Sequence, residues 1–254
     1  MSDIENLISE IPLFREAKTV CEPLGFGMSN TTYKVVAEKT PYVLRINGPQ
    51  HKRLKLDTRE EAEIIRKAHE IKIAPNVYAY GDGYLVTEFL HGRTLSRLNA
   101  RRPEYIVKIA ELLRKAHSIK DVSRKCSPFD LIEKYIGGRI PDGLAPLLTA
   151  MENVRRRTPL EAFCHNDATC MNIIDDGGNL RLVDWELSGR GSFVFFDLAE
   201  ISLRCAYTPR EDRLLLDAYF GKDMDENLLR DGHFMVKLRE NAFFSFEKEK
   251  NVRG

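Results

Sequence analysis

The sequence predicts an α+β protein in two parts, an antiparallel sheet with one main helix over residues 1–90 and a mainly helical remainder over 91–254. Between Thr19 and Phe89, runs of β-branched and aromatic residues alternate with Gly, Pro and Asn turns, the pattern of short antiparallel strands. From Ile106 onward, apolar residues recur at three- and four-residue spacing, as on the buried stripe of a helix. Strand chemistry returns in one compact place, where Ile173 and Ile174, the turn Asp175-Asp-Gly-Gly178 and then Leu180 to Val183 read as a hairpin.

A chain of 254 residues can bury a substantial core, and a formal net charge of +1 offers no general attraction to nucleic acid or to a membrane surface. Hydrophobic content of 43% and charged content of 30% are those of an ordinary globular protein. Asp3 and Glu5 stand in the first helical pattern, unlike the basic start of a signal peptide, and the apolar runs are too short to span a bilayer. The cysteines at 21, 126, 164, 170 and 205 are odd in number and lack a CxxC, so reduced thiols and a cytoplasmic location are expected. Cys164, His165 and Cys170 lie close in sequence, but a zinc site there lacks a fourth ligand at suitable spacing.

Taken in order, Ile4, Leu7, Ile8 and Ile11 share a helical face, with Ser2 available as its cap. A strand is expected around Thr19 to Glu22. Leu24 to Val36 then reads as strand, glycine turn, strand. Gly25 and Gly27, followed by Ser29 and Asn30, would bring backbone amides and short polar side chains over phosphates, although Gly-x-Gly alone is more often a plain hairpin turn. Pro41 to Ile46 is the next strand. In it Arg45 stands among Val43, Leu44 and Ile46 and needs an acidic partner, unless the strand is an edge and the cation points to solvent. The helix expected over Thr58 to Lys72 supplies one: Ile64, Ile65, Ala68 and Ile71 mark its buried face, and Glu61 shares it. Arg45 is therefore paired with Glu61. Glu63 is the alternative partner, and a capping box from Thr58 to Glu61 is the competing use of Glu61. Val77 to Tyr80, Gly81-Asp-Gly83 and Tyr84 to Phe89 form a hairpin, which ends near Glu88 and Leu90.

Beyond Leu98 the pattern is helical. Ile106, Ile109, Leu112, Leu113 and Ala116 make one stripe, with His117 read as packing or surface. Helices follow over Leu131 to Ile136, Leu144 to Val154 (ending in Arg155-Arg-Arg157, which suits the helix dipole), Asp197 to Cys205, and Pro209 to Tyr219, closed by Gly221. The last, from Asp225 to about Lys248, carries Phe234, Phe243, Phe244 and Phe246.

The chemistry concentrates between Phe163 and Glu186. Asp167 sits in a loop, Asn172 follows five positions later, and Asp184 ends the hairpin close to Asn172. An Asp able to accept a hydroxyl proton, beside an Asn and an Asp able to hold Mg²⁺, is the apparatus of phosphoryl transfer. Each fragment alone is ordinary turn chemistry, and three in order on a loop and hairpin form the signal.

The run His165-Asn-Asp167-x4-Asn172, then Val183-Asp-Trp-Glu186 and Phe196-Asp-Leu-Ala-Glu200, resembles the catalytic and metal loops of the choline kinase and aminoglycoside phosphotransferase superfamily. The resemblance implies a bilobal protein-kinase-like fold, with residues 1–90 as the nucleotide lobe and 91–254 as the catalytic and acceptor lobe. It implies ATP and Mg²⁺ as cofactors, Asp167 as the catalytic residue and Asn172 and Asp184 as metal ligands. Gly25, Gly27, Ser29 and Asn30 would form the nucleotide loop. Arg45, where protein kinases carry Lys, would hold the phosphates with Glu61 orienting it, and backbone groups of Glu88 and Leu90 would meet adenine. His165 would brace the loop. The implied reaction is phosphorylation of a small cationic amino alcohol, choline favoured, with thiamine kinase or aminoglycoside phosphotransferase as alternatives. Glu186, Asp197 and Trp185 are the candidate acceptor contacts, and bracing of the catalytic loop is the other reading of Asp197. The lack of any Trp after 185 departs from the choline kinase pattern. A nucleotide-binding but inactive kinase-like scaffold is the non-enzymatic alternative.

Overall fold

The computed structural model describes residues 3–26, 30–137, 143–158, 161–221, 224 and 226–253. The chain divides into two compact units, Met1–His91 and Gly92–Gly254.

In the first unit α1 (Asp3–Glu10) precedes β1 (Thr19–Phe26), β2 (Asn30–Ala37), β3 (Thr40–Asn47), α2 (Pro49–Arg53), α3 (Thr58–Glu70), β4 (Val77–Gly81) and β5 (Tyr84–Glu88). The strands form one antiparallel sheet in the order β1-β2-β3-β5-β4. β3 is interior, which rules out the edge-strand reading of Arg45. Ile8, Ile11 and Phe14 pack with Val35, Ala37, Leu44 and Val86 in one apolar cluster. α3 packs against β4 and β5 and buries Ala62, Ile64, Ile65 and Ala68.

Three local features differ from expectation. β1 runs on through Pro23, which an edge strand tolerates, and its register shifts between Pro23 and Gly25. The short helix α2 carries no apolar period to announce it, and starts at Pro49, whose fixed φ suits a first turn. The cap of α3 is Asp57, whose carboxylate accepts from the Arg59 amide at 2.7 Å. Thr58 is thus inside the helix, and the Glu61 carboxylate is left for another partner. The expected Ser2 cap lies outside the described residues.

The second unit contains β6 (Arg93–Thr94), α4 (Arg97–Ala100), α5 (Pro103–His117), α6 (Pro128–Ile136), α7 (Ala145–Arg157), β7 (Ala162–Cys164), β8 (Ile173–Asp175), β9 (Leu180–Leu182), β10 (Gly189–Ser192), α8 (Val194–Cys205), α9 (Pro209–Phe220) and α10 (Glu226–Arg253). Its helix boundaries follow local chemistry. Ser127 with Asp130 and Thr208 with Glu211 form capping boxes, and Gly137 and Gly221 close their helices with φ of 61° and 71°. β8 pairs with β6 and β9, and β7 with β10. α10 packs on α8 and α6, and α5 on α9. The α8–α10 approach is close at Gly232, where an added Cβ would strike the Phe195 carbonyl oxygen and lie 2.7 Å from Ala199 Cβ. Among the described residues no helix is long and apolar enough to cross a membrane.

Candidate active site

In the first unit, Arg45 on β3 is only 8% exposed. Its Nη1 donates to Glu61 Oε1 at 2.6 Å and its Nη2 to Glu61 Oε2 at 2.5 Å. Nε and Nη2 also reach Asn47 Oδ1 at 3.3 and 3.2 Å, and Asn47 Nδ2 donates to Thr58 Oγ1 at 2.8 Å. The forked pairing fixes the plane of the guanidinium as well as its position. Glu63 instead pairs with Arg59 at the surface, at 3.2 Å. Asn30 is buried, and its Oδ1 accepts from the Gly48 amide at 3.2 Å, tying the start of β2 to the residue after β3. Gly25 lies in β1 opposite Thr32, whereas Gly27 and Ser29 lie outside the described residues. The Glu88 amide donates to the Asn76 carbonyl at 2.8 Å, and its carboxylate accepts from the Asn76 amide at 3.1 Å. Leu90, just past β5, is half-buried.

In the second unit, β7 delivers the chain into the loop that carries His165, Asn166 and Asp167. Asp197, at the start of α8, accepts from the His165 amide at 2.7 Å, the Asn166 amide at 2.8 Å and His117 Nε2 at 2.9 Å. His117 Nδ1 is in turn hydrogen-bonded to the Tyr219 hydroxyl at 2.7 Å. Burial alone would raise the Asp197 pKa, but the His117 hydrogen bond and the neighbouring imidazoles hold it below the usual carboxylate range. Asn166 adopts a left-handed φ of 62° that its own bonds impose. Its Nδ2 donates to the carbonyls of Cys126 at 3.0 Å and Leu187 at 2.9 Å, and its Oδ1 accepts from Ser192 Oγ at 2.9 Å.

Asp167 and Asn172 meet across a single turn. Asn172 Nδ2 donates to Asp167 Oδ2 at 2.8 Å and to the Asp167 carbonyl at 3.0 Å. With its amide nitrogen so committed, Asn172 shows no hydrogen bond to Oδ1 among the described residues. The Val183 amide donates to the Asn172 carbonyl at 2.9 Å and closes the hairpin base, so Asp184 follows immediately, with a left-handed φ of 64°. All three side chains are half-buried. An amide oxygen and a carboxylate are hard donors of the kind Mg²⁺ takes.

Two expected acceptor contacts are corrected. Trp185 has no exposed surface: its ring stacks on Phe163, meets His165 edge-on, and donates its Nε1 hydrogen to the Leu182 carbonyl at 3.0 Å. It is core, because its indole nitrogen finds a backbone partner without solvent. Asp197 is also fully buried and spends its oxygens on the loop, so it is the brace and not an acceptor contact. Glu186, only 7% exposed, remains the carboxylate next to the hairpin end. His165 is buried with its pKa lowered by desolvation, and its neutral ring donates from Nε2 to the Val183 carbonyl at 3.1 Å, which is a bracing role. Cys164 joins His117 and Asp197 in a cluster whose potential ligand atoms lie within 4.8 Å, but Asp197 is already bonded and burial pushes the Cys164 thiol well above its usual range. The cluster is an internal brace.

Sequence reasoning missed Arg239 and Glu200. Arg239, from α10, is 6% exposed and donates to the Asn166 carbonyl. Its Nη2 lies 2.8 Å from Glu200 Oε2 and 3.5 Å from Asp167 Oδ1. The available signal was of the Arg45 kind, a cation flanked by Met235, Val236 and Leu238, all buried.

Residues 20–227 match the phosphotransferase enzyme family, and the chain belongs to it. Choline kinase B1 of Caenorhabditis elegans is 27% identical over 206 residues, covering 68% of this chain and 54% of that protein. A thiamine kinase of Salmonella paratyphi A is 28% identical over 152 residues, 58% of this chain and 52% of the relative. The chain thus spans about half the length of the curated relatives it matches. The crystal structure of choline kinase LicA from Streptococcus pneumoniae superposes with a TM-score of 0.84 at 23% identity, over 98% of this chain and 92% of that one. The fold is kinase-like, an antiparallel sheet with helices in the first part and a mainly helical second part.

Proposed function

We propose that this member of the phosphotransferase enzyme family transfers the γ-phosphoryl group of ATP to the hydroxyl of a small cationic alcohol, with choline as the first candidate and thiamine as the second. The observation that supports this best is the hydrogen bond from Asn172 Nδ2 to Asp167 Oδ2, which holds a base and a metal-binding amide in one turn while Asp184 closes the same hairpin. Asp167 accepts a hydrogen bond from the acceptor hydroxyl and directs its oxygen at the γ-phosphorus. Asn172 Oδ1 and the Asp184 carboxylate would hold Mg²⁺, which would supply charge neutralisation for the phosphate oxygens. Residues 1–90 form the nucleotide part: Arg45, held by Glu61, grips the phosphates, Gly25, Gly27, Ser29 and Asn30 form the phosphate loop, and backbone groups of Glu88 and Leu90 contact the base. Residues 91–254 form the catalytic and acceptor part, in which Glu186 balances the acceptor's positive charge. The reaction belongs in the cytoplasm, where ATP is abundant.

A carboxylate that replaces the water around a quaternary ammonium gains no such attraction from a neutral isostere, so discrimination should exceed the roughly 10-fold expected from packing alone. The experiment compares choline, thiamine, ethanolamine and the neutral isostere 3,3-dimethylbutanol at fixed Mg·ATP. The reading expects a charged acceptor to be phosphorylated more than about 10-fold faster than the neutral one, and Glu186→Gln to raise its KM while sparing that of ATP. Equal rates for charged and neutral alcohols would remove the cation site.

A further inference from the structure

We infer that Arg239 is a positioning residue for the reaction: by gripping the Asn166 carbonyl and standing beside the Asp167 carboxylate, it sets the direction in which Asp167 presents Oδ1. The inference rests on the proposed role of Asp167 as the base.

A buried guanidinium requires a partner of opposite charge. Removing Arg239 from water costs several kcal/mol, of which a partner must recover most. Glu200 alone would serve that end: it is fully buried, accepts from Arg239 at 2.8 Å and is braced by Arg204 Nε at 2.9 Å. The Phe196 ring beneath the guanidinium, 5.2 Å from centroid to Cζ, adds a favourable face. Arg239 nevertheless reaches further, to the Asn166 carbonyl and the edge of Asp167, where charge balance did not require it.

Those two contacts act on the peptide that leads into Asp167 and on its carboxylate. Asp197 takes the Asn166 amide, while Cys126, Leu187 and Ser192 take its side chain. The Asn166 carbonyl belongs to the peptide plane that leads into Asp167, and Arg239 holds it. Asp167 Oδ2 is then fixed by Asn172 at 2.8 Å, and among the described residues Oδ1 meets Arg239 Nη2 at 3.5 Å. At 3.5 Å the cation orients Oδ1 without occupying it as a full hydrogen bond would. The shorter contact to Glu200 keeps the guanidinium from closing on the base. The position of Arg239 is itself set by helix packing, since it lies two turns beyond Gly232, on the face where α10 meets α8, and Glu200 follows Ala199 on the facing helix.

The test measures ADP release from Mg·ATP by the full chain, with choline as acceptor and with water alone, for Arg239→Lys and Arg239→Ala beside Asp167→Asn. Lysine keeps the charge but cannot span the Asn166 carbonyl and Glu200 together. The inference expects both Arg239 variants to fold by circular dichroism. In Arg239→Lys, kcat should fall by about 10-fold or more with KM for Mg·ATP within about twofold, a loss confined to the chemical step. Millimolar methylguanidinium should restore part of the turnover of Arg239→Ala. If Arg239→Ala does not fold, the Lys variant decides alone. A kcat for Arg239→Lys within about twofold of wild type, with Asp167→Asn inactive, would overturn the inference and leave the base assignment standing. Full turnover by Asp167→Asn would instead remove the base assignment and this inference with it.

Discussion

Glu61 meets Arg45 through two parallel hydrogen bonds of 2.6 and 2.5 Å, and both side chains are buried. The pair joins α3 to the middle of the sheet and presents a guanidinium of fixed orientation. Removing one partner of a buried ion pair leaves an uncompensated charge and costs about 3–5 kcal/mol. Glu61→Ala should therefore lower unfolding stability by that order in denaturant melts and raise KM for Mg·ATP more than it lowers kcat. Unchanged stability would show that the pair is relaxed by solvent.

Asp184→Ala should abolish the Mg²⁺ dependence of nucleotide binding while leaving the fold intact, because the half-buried carboxylate ends a hairpin held by backbone bonds. Isothermal calorimetry with ATP, with and without Mg²⁺, measures this. An affinity for Mg·ATP equal to that of wild type would refute its role as a ligand.

Gly232→Ala should push α10 away from α8, since the added carbon would strike the Phe195 carbonyl, which cannot swing aside as a flexible side chain would. Overpacking of this kind costs typically about 1–3 kcal/mol. Thermal melts should show the loss, and kcat should fall with it because Arg239 rides on the same helix face. A stable variant of normal turnover would contradict the close approach.

Acid sensitivity has an identifiable contributor in the second unit. The Arg101 hydrogen bond lowers the Glu211 pKa to about 2, with further help from the Thr208 amide and hydroxyl. A carboxylate depressed in the folded state stabilises above its unfolded value of about 4.3, and that contribution is lost as pH falls from there towards 2. Glu211→Gln should therefore melt lower than wild type at pH 7, with a gap that narrows between about pH 4.5 and 2. A gap independent of pH would assign the difference to capping alone.

What was legible in the sequence was what local chemistry decides. A cation in an apolar strand demanded an acid, and the helical phase of Glu61 pointed to it, although the cap proved to be Asp57 one residue earlier. The approach of Asp167 to Asn172 could be read because five positions separate them, and that of Val183 to Asn172 because a hairpin returns the chain there. Long-range burial was not legible. Nothing local separates Trp185 as a wall from Trp185 as core, and the contact that decides it is with the Leu182 carbonyl. Arg239 reaches Asn166 and Asp167 across more than seventy residues, from a long helix.

The most direct measurement is mass-spectrometric detection of phosphocholine from choline and Mg·ATP, for wild type and Asp167→Asn side by side, with Mg·ATP affinity measured on both. The proposed chemistry predicts product from the wild type, at least about a 10²-fold loss of rate in Asp167→Asn, and similar nucleotide affinity in the two. Equal rates of phosphocholine formation by the two proteins would contradict it.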